Sequence, residues 1–152
     1  MDDAIGRKNP AEGVFIFEDQ PTIAFLTICS HKREPLLANA EVHKALRKSW
    51  EEADAWLGGT YLIMPDHVHL FCSPFRENFT IEQWIAFWKR RFRRNFGRHA
   101  QRFQSRGFHH RLRRQENYTD EWEYIRQNPV RVGLVMNSDD WPYQSTLNDL
   151  VW

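Results

Sequence analysis

The chain lacks the features that tie a protein to a membrane or to an oxidising compartment. It has two cysteines in 152 residues, and Cys29 and Cys72 form no CxxC pair or other disulfide pattern. Buried free thiols in a reducing cytoplasm are therefore expected. No apolar run approaches the ~18 residues of a membrane span. The acidic start, Met1-Asp2-Asp3, has neither the basic nor the apolar region of a secretory signal.

Acidic residues are absent from the whole stretch between Gln83 and Gln115, although the net charge of the chain is only +1. A solvated helix face usually mixes charges of both signs, so an acid-free run indicates a polyanionic partner, and nucleic acid is favoured over a membrane surface. Ten of its eleven bases are arginine, which suits phosphate. The predicted DNA-binding bases are Lys89, Arg90, Arg91, Arg93, Arg94, Arg98, Arg102, Arg106, Arg111, Arg113 and Arg114.

The length of the chain fits one domain with a core of its own. Apolar residues make up 41% and aromatic residues 14%, which favours a globular fold over a disordered one. Residues 1–12 are predicted to be a disordered tail, and residues 13–152 a single domain. No Gly-rich phosphate loop of the Walker type is present, so no energy cofactor is indicated.

The first half of the chain alternates between strand and helix patterns. A buried strand is predicted at 21–30, followed by a helix at 40–56 that the pair Gly58-Gly59 should end. Two short strands at 60–64 and 67–72 are separated by Pro65-Asp66, which indicates a tight turn.

The second half begins with a capping box, Thr80 at the N-cap and Gln83 at N3, ahead of a helix that Gly97 should close. A short strand at 108–112 follows, then a helix that starts at 117 or 119, carries the tyrosine discussed below and must stop at Pro129. Residues 132–143 are predicted to be irregular. This order predicts an α+β, ferredoxin-like sandwich, with the first two helices on one face of an antiparallel sheet.

Two histidines, His67 and His69, lie at positions i and i+2 of a predicted strand. Their imidazoles should therefore point to the same face while Val68 faces the opposite layer. Two neutral imidazoles at that separation can chelate one divalent cation, and a pair of surface or hydrogen-bonded histidines is the plainer alternative.

The last predicted helix offers a phenol and an amide on one face, since Tyr124 and Asn128 are four residues apart. They could meet the histidine pair if this face packs over the edge of the sheet. Taken alone, Tyr124 is better explained as a core aromatic beside Ile125, and Asn128 as a helix cap before Pro129. Elsewhere, Phe103 and Phe108 in the basic segment are candidates for stacking on unpaired bases.

Three blocks of sequence together resemble the REP-associated tyrosine transposases, a single-tyrosine branch of the HUH nucleases. The blocks are MPDHVHL at 64–70, the run from Gly107-Phe108 to Arg113, and YIRQNPVRVGL at 124–134. The resemblance implies a ferredoxin-like HUH catalytic domain acting on single-stranded DNA near palindromic hairpins. One departure is the run Phe108-His109-His110-Arg111: members commonly carry an aspartate there, and His109 puts its role in doubt.

The resemblance also implies residue roles. Tyr124 matches the nucleophile, His67 and His69 match the metal-binding pair, and Asn128 matches the third ligand, with Gln127 the nearest alternative. The implied reaction cleaves and rejoins DNA through a 5′-phosphotyrosine, with Mg²⁺ or Mn²⁺ as cofactor. The expected partner is hairpin DNA in the bacterial nucleoid, and the expected state a monomer or homodimer.

Two other functions stay open at this point. One is a single-stranded nucleic-acid-binding module of the same fold without nuclease activity. The other is a metal oxygenase or hydrolase built on the histidine pair, which leaves the acid-free basic run unexplained.

Overall fold

A computed structural model describes residues 22–97, 103–112 and 115–151. The predicted tail at 1–12 lies outside the described residues. The elements, in chain order, are β1 (Ile23–Cys29), a 3-10 turn (His31–Arg33), α1 (Ala40–Glu52), β2 (Trp56–Ile63), β3 (His67–Pro74), α2 (Ile81–Phe96), β4 (Phe108–Leu112), α3 (Gln115–Ile125), the short α4 (Asn128–Arg131), a second 3-10 turn (Ser138–Asp140) and β5 (Gln144–Thr146). No helix in these ranges is both long and apolar enough to cross a membrane.

The strands form one five-stranded sheet in the order β4-β1-β3-β2-β5, with every neighbouring pair antiparallel. The α+β class is thereby confirmed. The first six major elements follow the order β-α-β-β-α-β, which is also the order of ferredoxin-like folds. That more specific assignment stays a prediction.

One face of the sheet carries α1 and α2, as the sequence predicted. Leu26 and Ile28 of β1 and Leu70 of β3 point to this face, where they pack against helix residues such as Trp84 and Trp88 in one buried cluster. Apolar residues recur along α2 at helical spacing, so its apolar stripe lies on the sheet while its arginines remain outside.

The opposite face is covered by α3 and by the C-terminal segment. Ile23 and Phe71 are buried there together with Ile125 of α3, and the ring of Tyr118 stacks on Phe71 with the centroids 4.3 Å apart. The indole of Trp141 donates a hydrogen bond of 3.0 Å to the carbonyl of Ile63. The sheet is therefore buried on both sides, and the histidine pair belongs to this second side.

The predicted end of the first helix is wrong. Helix α1 ends at Glu52, Trp56 already begins β2, and Gly58 and Gly59 lie inside that strand. A Cβ atom on Gly59 would lie 2.6 Å from the side chain of Leu150. The glycine pair therefore allows the C-terminal segment to approach the strand closely, which local periodicity does not reveal.

The predicted single helix up to Asn128 is also wrong. Helix α3 ends at Ile125, and a separate short helix starts at Asn128 with Pro129 in its first turn. Proline lacks the N–H that a continuous helix would need at that position, whereas a first turn does not need it. Tyr124 and Asn128 are therefore on two helices and do not share one helix face.

The C-terminal segment contains a short strand just beyond the residues predicted to be irregular, at positions for which no element was predicted. Strand β5 pairs with β2, and Thr60 lies opposite Thr146. Their hydroxyl oxygens are 3.0 Å apart. Three residues are too few for a strand pattern to stand out in the sequence.

The capping box of α2 gives a first prediction. The Thr80 hydroxyl accepts from the Gln83 N–H at 3.1 Å, and the Gln83 side chain accepts from the Thr80 N–H at 2.9 Å. Thr80→Ala leaves the Gln83 N–H without its partner and should lower the free energy of unfolding by about 1 kcal/mol. Urea denaturation measures this, and Thr80→Ser should stay within a few tenths of wild type. An equal loss in both variants would contradict the capping role.

Candidate functional site

The two histidines of β3 stand side by side on the second face of the sheet. The ring centroids of His67 and His69 are 4.8 Å apart, with an interplanar angle of 79°. Val68 between them belongs to the core cluster on the other face. The predicted same-face arrangement of the imidazoles is confirmed.

His67 is held by the carboxylate of Asp66, which is itself held by the guanidinium of Arg33. Its Nδ1 lies 2.7 Å from Oδ1 of Asp66, and the Arg33 side chain donates to the other carboxylate oxygen at 2.9 Å. Burial opposes ionisation of Asp66, but the hydrogen bond with His67 and the neighbouring Arg33 outweigh it and lower the pKa of Asp66. With Nδ1 donating to the carboxylate, Nε2 of His67 keeps its lone pair for a ligand.

His69 is more deeply buried and is held on both ring nitrogens. Its Nδ1 is 2.9 Å from the Thr27 hydroxyl, and its Nε2 is 3.3 Å from the side-chain nitrogen of Asn128. The ring stacks on Phe25 with centroids 5.2 Å apart. Burial, helped by the neighbouring His67, lowers the pKa of His69 to about 3. His69 is therefore neutral at physiological pH, as a metal ligand must be.

Arg131 connects the candidate nucleophile with the candidate third ligand. Its guanidinium donates to the side-chain oxygen of Asn128 and, at 2.7 Å, to the backbone carbonyl of Tyr124. It also lies 4.3 Å from the centroid of the Tyr124 ring. Although the break between α3 and α4 separates Tyr124 from Asn128, one arginine side chain binds both. Gln127, the alternative ligand, is directed instead toward the Ser138 hydroxyl, 3.5 Å away.

Tyr124 is not a core aromatic. Its side chain is 65% exposed, whereas Ile125 beside it is buried. The ring lines a pocket between β4 and α3, and the other lining residues are His110, Arg111, Leu112, Asn117, Asp120 and Glu121. An exposed phenol in an open pocket can be reached by a large substrate, and a buried one cannot.

His110 was not singled out in the sequence, where His109 was named only as the residue that puts the role of an aspartate in doubt. In the register of β4 with β1, His110 lies opposite Phe25, on the face of His69, so its neighbour His109 points to the helix side. Burial lowers the pKa of His110, and Glu121 partly opposes this shift. Alternation along the predicted strand was the signal that could have separated the two histidines.

The ligand types at the histidine pair fit a divalent cation that accepts both nitrogen and oxygen ligands. Within the described ranges no three or more His, Cys, Asp or Glu side chains gather as a metal cluster. The available donors are therefore the two imidazoles and the Asn128 amide. Nitrogen and neutral oxygen donors suit such a cation. The Asn128 oxygen now faces Arg131, so ligation would require the amide to rotate.

The basic residues of the acid-free run do not all lie on one surface. Lys89, Arg90, Arg93 and Arg106 line one cleft between α2 and the segment before β4. Arg91 instead pairs with Glu52, with Nε 3.1 Å from the carboxylate. Arg94 is exposed and Arg111 lines the Tyr124 pocket. Arg98, Arg102, Arg113 and Arg114 lie outside the described residues.

The two candidate stacking rings also differ. Phe108 is 60% exposed at the edge of the sheet, with its ring 5.4 Å from that of His110. Phe103 is partly buried and makes edge contacts with Trp88 and Phe92 of the core. Phe108 thus remains a stacking candidate, whereas Phe103 serves mainly in packing.

Comparison with known proteins was made by sequence and by fold. No family model matches the chain. A curated relative from Haemophilus influenzae, named "Putative REP-associated tyrosine transposase", is 30% identical over 103 residues. The aligned part covers 58% of this chain and 57% of the relative, so the chain matches little more than half of that protein's length.

Two solved structures are similar in fold. One is a REP-associated tyrosine transposase bound to a REP hairpin, with a TM-score of 0.68 and 20% identity, covering 86% of this chain and 82% of the other. The second is a "putative transposase" from Deinococcus radiodurans R1, with a TM-score of 0.51 and 14% identity, covering 73% and 91%. The fold is thus one found in transposase structures. Within that class, the resemblance to the REP-associated tyrosine transposases inferred from the motifs is confirmed.

The neutral state of His69 gives a second prediction. Below a pH of about 6.5 the unfolded chain binds a proton that folded His69 rejects until about pH 3, so stability falls as the pH drops through this window. Between about pH 7 and pH 5 this linkage amounts to about 2 kcal/mol. His69→Gln should therefore lose about that much less stability than wild type over the same interval.

Urea unfolding at the two pH values, with a chelator present, measures this difference. Each protein serves as its own reference, so any general cost of the substitution cancels. Equal losses in both proteins would show that His69 is not held neutral by the fold.

Proposed function

We propose that this chain is a transposase-like enzyme that cleaves and rejoins single-stranded DNA at hairpin elements through a phosphotyrosine at Tyr124. The observation that carries the proposal is the grouping of His67, His69 and Asn128 with an exposed tyrosine that Arg131 ties to the same amide. A structural role alone does not require an exposed phenol that is linked through Arg131 and Asn128 to an oriented imidazole. The motif resemblance and the fold similarity support the same assignment.

The reaction is an exchange of one phosphate ester for another. The phenol oxygen of Tyr124 forms a bond to phosphorus, the bond from phosphorus to the 3′-oxygen breaks, and that oxygen leaves as a hydroxyl with the proton. The 5′ end stays attached as a phosphotyrosine. A second 3′-hydroxyl can reverse the step, so no oxidant or energy cofactor is needed.

The side chains around the histidines act by holding groups in place. His67, His69 and Asn128 would hold a Mg²⁺ or Mn²⁺ ion, and such a cation polarises phosphate oxygens and stabilises the charge that develops on them. Asp66 and Thr27 fix the rings through Nδ1, and rotation of the Asn128 amide would free Nε2 of His69 for the ion.

Groups on both sides of β4 are suited to the proposed substrate. Phe108 presents a ring on which an unpaired base can stack, and the cations of the α2 cleft can contact backbone phosphates. Because the solved neighbour is bound to a REP hairpin, hairpin DNA is the proposed partner. Such a protein, monomer or homodimer, would act at the nucleoid of a bacterial cell.

A binding module without catalysis is the second candidate, and one observation favours it. The nitrogen of the Asn128 amide contacts His69 and its oxygen accepts from Arg131, so both polar atoms have protein partners. The Phe108 ring and the cleft would bind DNA whether or not Tyr124 reacts.

Tyr124→Phe separates the two candidates and gives a third prediction. The variant lacks the attacking oxygen, so the covalent adduct with a hairpin-flanked single strand should disappear while binding persists. Incubation with Mn²⁺ or Mg²⁺ and a denaturing gel detects the adduct. The matched control is Tyr118→Phe on the same helix, whose hydroxyl donates to Thr60. That variant should keep the adduct.

A chelator provides a further arm of the same experiment. It should abolish the adduct with wild-type protein and leave hairpin binding in place, because the ion that His67, His69 and Asn128 would hold would serve the reaction at the phosphate and not the contacts of the protein with the hairpin. An adduct that survives in Tyr124→Phe would contradict the nucleophile assignment, and one that survives chelation would contradict the metal assignment. Binding without any adduct across a broad pool of strands would favour the binding module.

The different partners of two neighbouring arginines give a fourth prediction. Arg93 is exposed and lines the cleft, whereas Arg91 is paired with Glu52. For single strands the slope of log K against log salt changes by about 0.7 for each phosphate that the protein no longer neutralises. Arg93→Gln should reduce the slope by about that amount, and Arg91→Gln should leave it unchanged. Binding titrations over a series of salt concentrations measure both, and an equal change in the two variants would contradict this division.

A further inference from the structure

A cleft on the helix side of β4 combines cations with buried hydrogen-bond acceptors, and the tyrosine chemistry does not use it. It lies between one side of α2 and the segment before β4, and its cavity volume is about 380 Å³. That volume is within the range of small-molecule sites. The lining residues from α2 are Glu82, Ile85, Ala86, Lys89, Arg90 and Arg93, which recur at helical spacing along one side of the helix.

The carboxylate of the cleft lies at one end of α2, and the cations lie toward the other end. Glu82 lies in the first turn of α2 and Arg93 in its last turn, about 16 Å away at 1.5 Å per residue. Lys89, between them, is half-buried and donates to the carbonyl of Gln104 at 2.8 Å. Burial lowers the pKa of Lys89, and the nearby Arg93 lowers it further. Lys89 and Arg93 are like charges one helical turn apart, so a negatively charged ligand would be favoured between them.

The other end of the cleft carries a buried histidine paired with a glutamate, and one ring nitrogen of that histidine has no partner within the described residues. His109 is only 7% exposed, and its Nε2 lies 3.2 Å from Oε2 of Glu82. Within the described part of the chain, Nδ1 of His109 has no hydrogen-bond partner, and its Nε2 and Oε2 of Glu82 have only each other. Buried polar groups without partners are costly, and such groups in a cleft are often satisfied by a ligand.

We propose that this cleft binds one unpaired nucleotide of the DNA strand, with its phosphate on the cations and the N–H edge of its base on Glu82 and His109. This inference deepens the proposed function and rests on DNA being the substrate. Guanine fits best, because its adjacent N1–H and N2–H groups can both donate to one carboxylate. A metal ion at the Glu82 end is disfavoured by the cations that share the cleft.

Position in the sheet supports a link between this cleft and the tyrosine pocket. Adjacent residues of β4 point in opposite directions, His109 into the cleft and His110 into the pocket of Tyr124. Because β4 is an edge strand, a DNA strand can pass around it from one side to the other. A nucleotide held in the cleft would then fix which phosphate of the strand reaches Tyr124.

The test compares two single strands of twelve nucleotides, one of thymidine only and one with a central deoxyguanosine. Dissociation constants are measured by fluorescence anisotropy with the full chain in the presence of a chelator, so that no cleavage competes. Wild type should bind the guanosine strand at least about fivefold more tightly, the lower end for a bidentate base contact. Hypoxanthine in place of guanine removes the N2 amino group and should reduce that preference.

Glu82→Gln should lower the preference toward one while leaving binding of the thymidine strand equal or tighter. The matched control is Glu41→Gln, which removes the same charge from the first turn of α1 at an exposed position. That variant should keep the preference. Ala86→Phe fills the cleft without changing charge and should also abolish the preference.

Two results would overturn the proposal: no preference for the guanosine strand in wild type, or a preference that survives both Glu82→Gln and Ala86→Phe. Thymidine binding shows that each variant is folded. The outcome is independent of the adduct assay at Tyr124, because a preference can be present without an adduct and an adduct without a preference.

Discussion

The antiparallel pairing of β1 with β3 and β4 is the constraint on which the candidate site depends. Phe25 and Thr27 of β1 lie between the histidines of β3 and the imidazole of His110 on β4. The ring of Phe25 stacks on His69, and the hydroxyl of Thr27 is hydrogen-bonded to Nδ1 of His69. The imidazoles are thus fixed by backbone hydrogen bonds across three strands, and such a scaffold is stiffer than a loop.

Local pattern was sufficient for the elements whose burial is one-sided or whose ends are set by their own residues. Helix α2 begins at the Thr80 box and shows its apolar stripe in the sequence, so both were predictable. The end of α1 was not predictable. Gly58 and Gly59 belong to a strand that Leu147 and Leu150, about ninety residues later in the chain, approach closely. Close approaches of this kind depend on tertiary contacts.

The site was predictable to the extent that it depends on strand alternation. The shared face of His67 and His69 follows from their spacing alone, whereas the position of Asn128 depends on a helix break and on a turn. The exposure of Tyr124 could not be read from its neighbours, since Ile125 beside it is buried. The choice of Tyr124 as the candidate nucleophile came from the motif resemblance and not from its local pattern. The contacts of Arg131 with both Tyr124 and Asn128 could be seen only in the folded chain.

The alternation of β4 has a consequence for sequence change during evolution. His109 and His110 serve opposite sides of one strand, and the burial of Leu112 fixes its register. A single-residue insertion or deletion between His110 and Leu112 would exchange the faces of the two imidazoles while Leu112 stayed in the core, because the side-chain period is two. Substitutions in this strand alter one side at a time. Changes in length alter both at once, so natural variants are expected to tolerate the former far more often.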